Sequence, residues 1–161
     1  MNLLQWIVAF AGRALIGIIF IAAGLNQILS WQMTEQLFTQ TLTDWLATSI
    51  GNPLLQQVLE WGLSQIFPIL LAAIICELLG GILLFLGVWI RLGSFLLFIF
   101  MLPTTLIFNH FWDIPNPERD VQLVNFMKNM GIIGGILVLL AYGKGTQSSK
   151  SSGKSAKNAG S

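Results

Sequence analysis

The chain has 161 residues, of which 55% are hydrophobic and only 9% charged, with a net charge of +1. A soluble globular domain carries about 25% charged residues. The composition therefore excludes an ordinary cytosolic enzyme, a disordered protein and a nucleic-acid binder, and points to a one-domain polytopic membrane protein. With one cysteine, Cys76, and one histidine, His110, the chain can form no intramolecular disulfide. The same scarcity argues against a metal site built from protein ligands alone.

A membrane-crossing helix needs about 20 mostly apolar residues. Four stretches meet this need: 3–29, interrupted by Arg13; 66–90, interrupted by Glu77; 92–112; and 121–142, interrupted by Lys128. Backbone groups in lipid must be satisfied within the segment, so these are expected to be helices. The first is read as a retained span, because no Lys or Arg precedes it and Arg13 breaks its apolar run. Between the first two spans, Phe38, Leu42, Trp45 and Leu46 follow helical spacing. The triplet Gly51-Asn52-Pro53 signals a turn, and Leu54, Leu55, Val58, Leu59 and Gly62 start a second stripe. This predicts one or two short helices at the membrane surface, anchored by Trp31, Trp45 and Trp61. Pro68 is expected to start or kink the second span and Pro103 to bend the third.

Residues 1–142 thus read as an all-α, four-helix transmembrane bundle with an amphipathic interfacial segment between helices 1 and 2. Residues 143–161, rich in Ser, Gly and Lys, read as a disordered basic tail. Lys144, Lys150, Lys154 and Lys157 lie in that tail, and Arg91 lies between spans two and three. Acidic residues lie in the other loops: Glu35, Asp44 and Glu60 in one, Asp113, Glu118 and Asp120 with Arg119 in the other. Because short cytoplasmic loops collect Lys and Arg, both termini and Arg91 are expected to be cytoplasmic in a plasma (inner) membrane.

A charge at mid-span costs roughly 2.5–3.5 kcal/mol and normally faces the bundle interior. Arg13, Gly17, Gly24 and Gln27 share one helical face; Lys128, Gly131 and Gly135 share another; Glu77 is followed on its face by Gly81. Each charge therefore sits on a glycine-lined face suited to close helix packing. Arg13 and Glu77 are expected to form a structural ion pair. Gln27, Asn109, His110, Lys128 and Asn129 are expected to join Glu77 in the outer half of the bundle as ligand-binding or proton-relay groups. Phe111 and Trp112 would cap this cluster, with 113–117 as a lid. Two cations against one acid leave a positive excess that favours an anionic or electron-rich guest near Lys128. Cys76, the methionines and the phenylalanines read as packing.

Gly12-Arg13, Phe20-Ile21-Ala22-Ala23-Gly24-Leu25-Asn26-Gln27, Glu77-Leu78-Leu79-Gly80-Gly81, Leu86-Gly87-Val88-Trp89-Ile90-Arg91, Asn109-His110-Phe111-Trp112 and Asn125-Phe126-Met127-Lys128-Asn129-Met130-Gly131 occur in that order. Taken together this set resembles the DoxX family of small four-helix membrane proteins. The resemblance implies that Arg13, Glu77, Arg91, His110, Lys128 and Asn129 are the positions that matter. It also implies a link to thiosulfate:quinone oxidoreductase and terminal-oxidase assemblies, or to oxidative and thiol stress complexes. Family members often carry a basic residue where this chain has Gln27.

The leading expectation is a subunit or accessory factor of a redox-linked membrane complex, not an enzyme on its own, with a quinone contacted by Glu77, His110 and Lys128. A protein partner from that complex, or a second copy of the chain, would accompany the lipid bilayer. One alternative is a small transporter of a weak acid or anion. The apolar inner half, broken only by Arg13, counts against it. The other is a non-catalytic interaction protein that stabilises a membrane partner.

Overall fold

The computed structural model describes residues 3–49 and 51–143. The expected tail beyond Gly143, including Lys144, lies outside the described residues. Among the described residues, six α-helices follow in order: α1 (Leu3–Leu29), α2 (Trp31–Thr48), α3 (Pro53–Ser64), α4 (Ile66–Leu86), α5 (Ile90–Phe108) and α6 (Glu118–Tyr142), with a 3-10 turn at Phe111–Asp113 before α6. Among the described residues there is no strand. Helices α1, α4, α5 and α6 are long and apolar enough to cross a membrane.

Local chemistry sets the boundaries. Asn52 caps α3 by accepting a hydrogen bond from the Leu55 N–H at 3.3 Å, and Pro53 takes the first helical position, where no N–H is needed. Gly87 ends α4 at φ 70°; its N–H donates to the Leu84 carbonyl, and the Val88 N–H donates to that of Leu83. This paired closure satisfies carbonyls that a helix end would otherwise leave bare. It places the second span's end at Leu86, four residues before the sequence boundary, and the third span's start at Ile90, two residues before its boundary. Pro68 sits in the first turn of α4, as a span start requires, and Pro103 lies inside α5.

In the arrangement of the spans, α1 packs on α4, α4 on α5, and α5 on α6. Glycine meets glycine between α1 and α4: a Cβ on Gly17 would stand 2.7 Å from the Gly81 carbonyl oxygen. Gly80 and Gly93 make a similar notch between α4 and α5, where a Gly80 Cβ would meet the Gly93 carbonyl at 3.0 Å. Without a hydrophobic gain between helices in lipid, such close backbone approach carries much of the association. Phe20, Leu84, Leu97, Met101, Ile133 and Ile136 fill the centre, and Phe20 reaches across to Phe100 edge-on at 6.4 Å.

The segment between α1 and α4 does more than lie on the surface. Phe38 and Leu42 of α2 and Leu59 of α3 are buried with Leu70 in a second small core. The Phe38 ring meets Phe108 at 5.7 Å, so α2 sits over the ends of α4 and α5 as a cap. Trp31 and Trp45 are accordingly half-buried, Trp31 against Phe67 and Trp45 against His110; Trp61 is the one of the three expected anchors that stays exposed.

A candidate polar site beneath the cap

Glu77 lies about 16 Å along α4 from Ile66, at 1.5 Å per residue. Its position on the face toward α1 and α5 leaves it only 2% exposed. The partner is Gln27, whose Nε2 donates to Oε2 at 2.8 Å. Gln27 is held in turn by the junction of α1 and α2: the Thr34 hydroxyl donates to the Gln27 carbonyl at 3.4 Å. Gly24 makes the approach feasible, since a Cβ there would stand 2.7 Å from Leu78 and 3.8 Å from the Glu77 carboxyl carbon.

Other buried polar groups lie toward the same end of the bundle. On α5, Thr105 is fully buried, and its hydroxyl has no hydrogen-bond partner. Asn109, one turn on, is 9% exposed. On α6, Gln122 has a buried Oε1 without a partner, and Asn125 and Asn129 are half-buried. An unpaired amide or hydroxyl costs about 1–3 kcal/mol when it loses water and gains nothing. These groups therefore offer unmet hydrogen-bonding capacity inside an otherwise apolar bundle, which a water or a polar guest can meet. Sequence reasoning missed Thr105 and Gln122. A threonine in an apolar span normally bonds back to the preceding turn, as Thr104 does to the Phe100 carbonyl at 2.7 Å.

His110 sits at the rim. Its Nδ1–H donates to the Ile107 carbonyl at 2.7 Å, which closes the end of α5. The ring stacks on Trp45 at 5.4 Å with an interplanar angle of 10°. Phe111, Trp112 and Phe126 interlock edge-on beside it. Trp45 of α2 and Trp112 thus both pack on the His110 ring.

Two sequence expectations need correction. Arg13 does not pair with Glu77. Its guanidinium lies beside Gly87, about 3.3 Å from where a Cβ would stand, and Nε is buried without a partner. Gly87 is ten residues, or about 15 Å, beyond Glu77 on α4. The arginine thus sits against the C-terminus of that helix, where exposed carbonyls favour a cation. Lys128 does not point inward. It is exposed and has no partner among the described residues. The glycine at 131 is open, because Ile133 and Ile136 form the buried side of α6 instead. Arg91 is exposed, and its Nη2 donates to the Ala141 carbonyl at 3.4 Å, tying the start of α5 to the end of α6. Among the described residues, no group of three or more His, Cys, Asp or Glu comes together to hold a metal ion.

Fold and site together define a multi-pass α-helical membrane protein with a buried carboxyl group. The chain belongs to the DoxX family, whose model matches residues 8–110. That match takes in Arg13, Gln27, Glu77, Asn109 and His110 and stops before Lys128 and Asn129. The chain is also 27% identical over 135 residues to the inner membrane protein YphA of Escherichia coli (strain K12), covering 83% of this chain and 81% of that protein. No solved structure matches the chain.

Proposed function

We propose that this protein is an accessory subunit of a redox-linked membrane complex, and that the cluster around Glu77 receives a quinone headgroup. The observation that carries the reading is the Glu77–Gln27 pair, buried in an apolar bundle that also holds, on α5, the fully buried and unpartnered hydroxyl of Thr105. The donor set suits such a guest: amide N–H groups of Gln27 and Asn109 and the Thr105 hydroxyl donate to carbonyl oxygens, and Glu77 holds a proton or accepts one from a hydroxyl. A quinone supplies electron-transfer chemistry when bound. The chain's own residues bind, orient and exclude water. Lys128, being exposed, has no part in this site.

The same reading places both termini, Arg91 and the basic tail on the cytoplasmic side of an inner membrane. The cap of α2 and α3, with its acidic residues, then faces outward. The distribution of Lys and Arg supports this, and so does the inner-membrane relative.

Purification in mild detergent, followed by solvent extraction and mass spectrometry, tests the reading. Near-stoichiometric quinone is expected in the wild-type complex, falling at least about tenfold in Thr105→Val, which keeps the shape and removes the hydroxyl. Absence of both quinone and any redox-active partner would overturn the proposal.

A further inference from the structure

Helix α6 is the least enclosed of the four spans: 11% of its most apolar stretch is buried, against 33% in α4 and α5. It packs on α5 and the 3-10 turn. At 100° per residue, Val121, Val124, Lys128, Gly131, Val138 and Tyr142 fall within about a 100° arc, and all six are exposed. Gly131 and Gly134 have no atom within 4 Å of where a Cβ would stand. The face is therefore apolar and notched, and it carries one cation. Lys128 stands about 15 Å along the helix from Glu118, has no partner among the described residues, and is exposed on a helix long and apolar enough to cross a membrane, where an ammonium facing lipid is costly.

The geometry points to a partner: this face docks a transmembrane helix of another protein that carries one carboxylate opposite Lys128. The inference rests on the accessory-subunit reading and names the surface through which the subunit would join its complex. Small residues let a second backbone approach closely, and a carboxylate at the right depth neutralises the lysine. A second copy of the chain fits less well. Two-fold packing on this face would set Lys128 against Lys128. The intramembrane acid of the chain, Glu77, is 2% exposed and bonded to Gln27, so a second copy offers no acid on its span surface at that depth. A lysine that merely reaches up to lipid phosphate would have no use for the bare glycines beneath it.

The test places a photo-cross-linking amino acid at Val124, Val138 and, as a control on the exposed face of α1, Leu15, in the full chain in native membranes. The expected result is one protein adduct from Val124 and Val138, absent from Leu15, with the cross-linked peptide mapping to a transmembrane helix that contains Asp or Glu. Lys128→Glu should lower the adduct about tenfold or more, and Lys128→Arg should keep it. Changing the captured acid to Lys should restore the adduct to Lys128→Glu. Gly131→Leu should also abolish it while leaving the melting temperature of the isolated chain unchanged. Adducts to phospholipid alone, an adduct to a second copy, or a protein adduct indifferent to Lys128→Glu would each overturn the inference. Quinone content measured on the same membranes stays at the wild-type level in Lys128→Glu, so failure of docking is distinguished from failure of the proposed ligand site.

Discussion

Gly17→Val is expected to leave almost no monodisperse protein after detergent extraction, and Gly17→Ala to lower the melting temperature clearly. A Cβ at position 17 would stand 2.7 Å from the Gly81 carbonyl oxygen and 2.9 Å from the Phe85 backbone nitrogen. Both are backbone atoms, so no side chain can swing aside; α1 and α4 must move apart. From the other side, a Gly81 Cβ would press on the Gly17 carbonyl at 3.0 Å. Overpacking by a methyl group usually costs about 1–3 kcal/mol, and here separation also weakens contacts along the whole α1–α4 interface. In lipid no hydrophobic gain makes up the loss. Gly12→Ala is the matched control: nothing lies within 4 Å of that position, and alanine is the better helix former by about 1 kcal/mol. Fluorescence-detected size-exclusion and a thermal melt in one detergent measure both. If Gly17→Val melts with the wild type, the two helices do not meet at this point and the described interface is wrong.

That glycine contact also explains where sequence reasoning succeeded and where it failed. Composition and the 20-residue rule place four spans, and Gly51-Asn52-Pro53 marks the start of α3, because these signals are local. The stripe of Phe38 and Leu42 correctly marks a buried face, since period alone determines which residues of a helix point together. The partner of a charge is a different question. The register of α1 against α4 is set by Gly17 meeting Gly81, and that register brings Gln27 to Glu77 and sends Arg13 to Gly87. Arg13 and Gln27 share a face but stand about 21 Å apart along the helix, so face alone could not choose between them. Glycine next to a charge was also ambiguous. On α1 it marks the face packed inside the bundle; on α6, Lys128 and Gly131 mark the face left open. Hydropathy averages over both and cannot separate them.

Glu77→Ala and Gln27→Ala are each expected to destabilise the bundle by about 1–3 kcal/mol, because each strands the other's polar group in an apolar interior. Paired replacement reverses the sign of the argument. With Gln27→Leu and Glu77→Leu together, neither partner is left bare, apolar volume replaces polar volume, and stability should recover to within about 1 kcal/mol of the wild type or exceed it. The non-additivity is the diagnostic: in the thermal melt the double variant should lie well above the sum of the singles. Glu77→Gln, which keeps a carbonyl oxygen to accept the Gln27 N–H, should stay near wild-type stability. Quinone content then separates a packing role from a binding one. If the pair merely holds α1 to α4, the stable double-leucine variant behaves like the wild type in every functional readout. If the pair receives a headgroup, that variant is stable and empty. A double variant as unstable as the sum of the two single leucine variants would show that Glu77 and Gln27 do not depend on each other, and the site as described would fail with them.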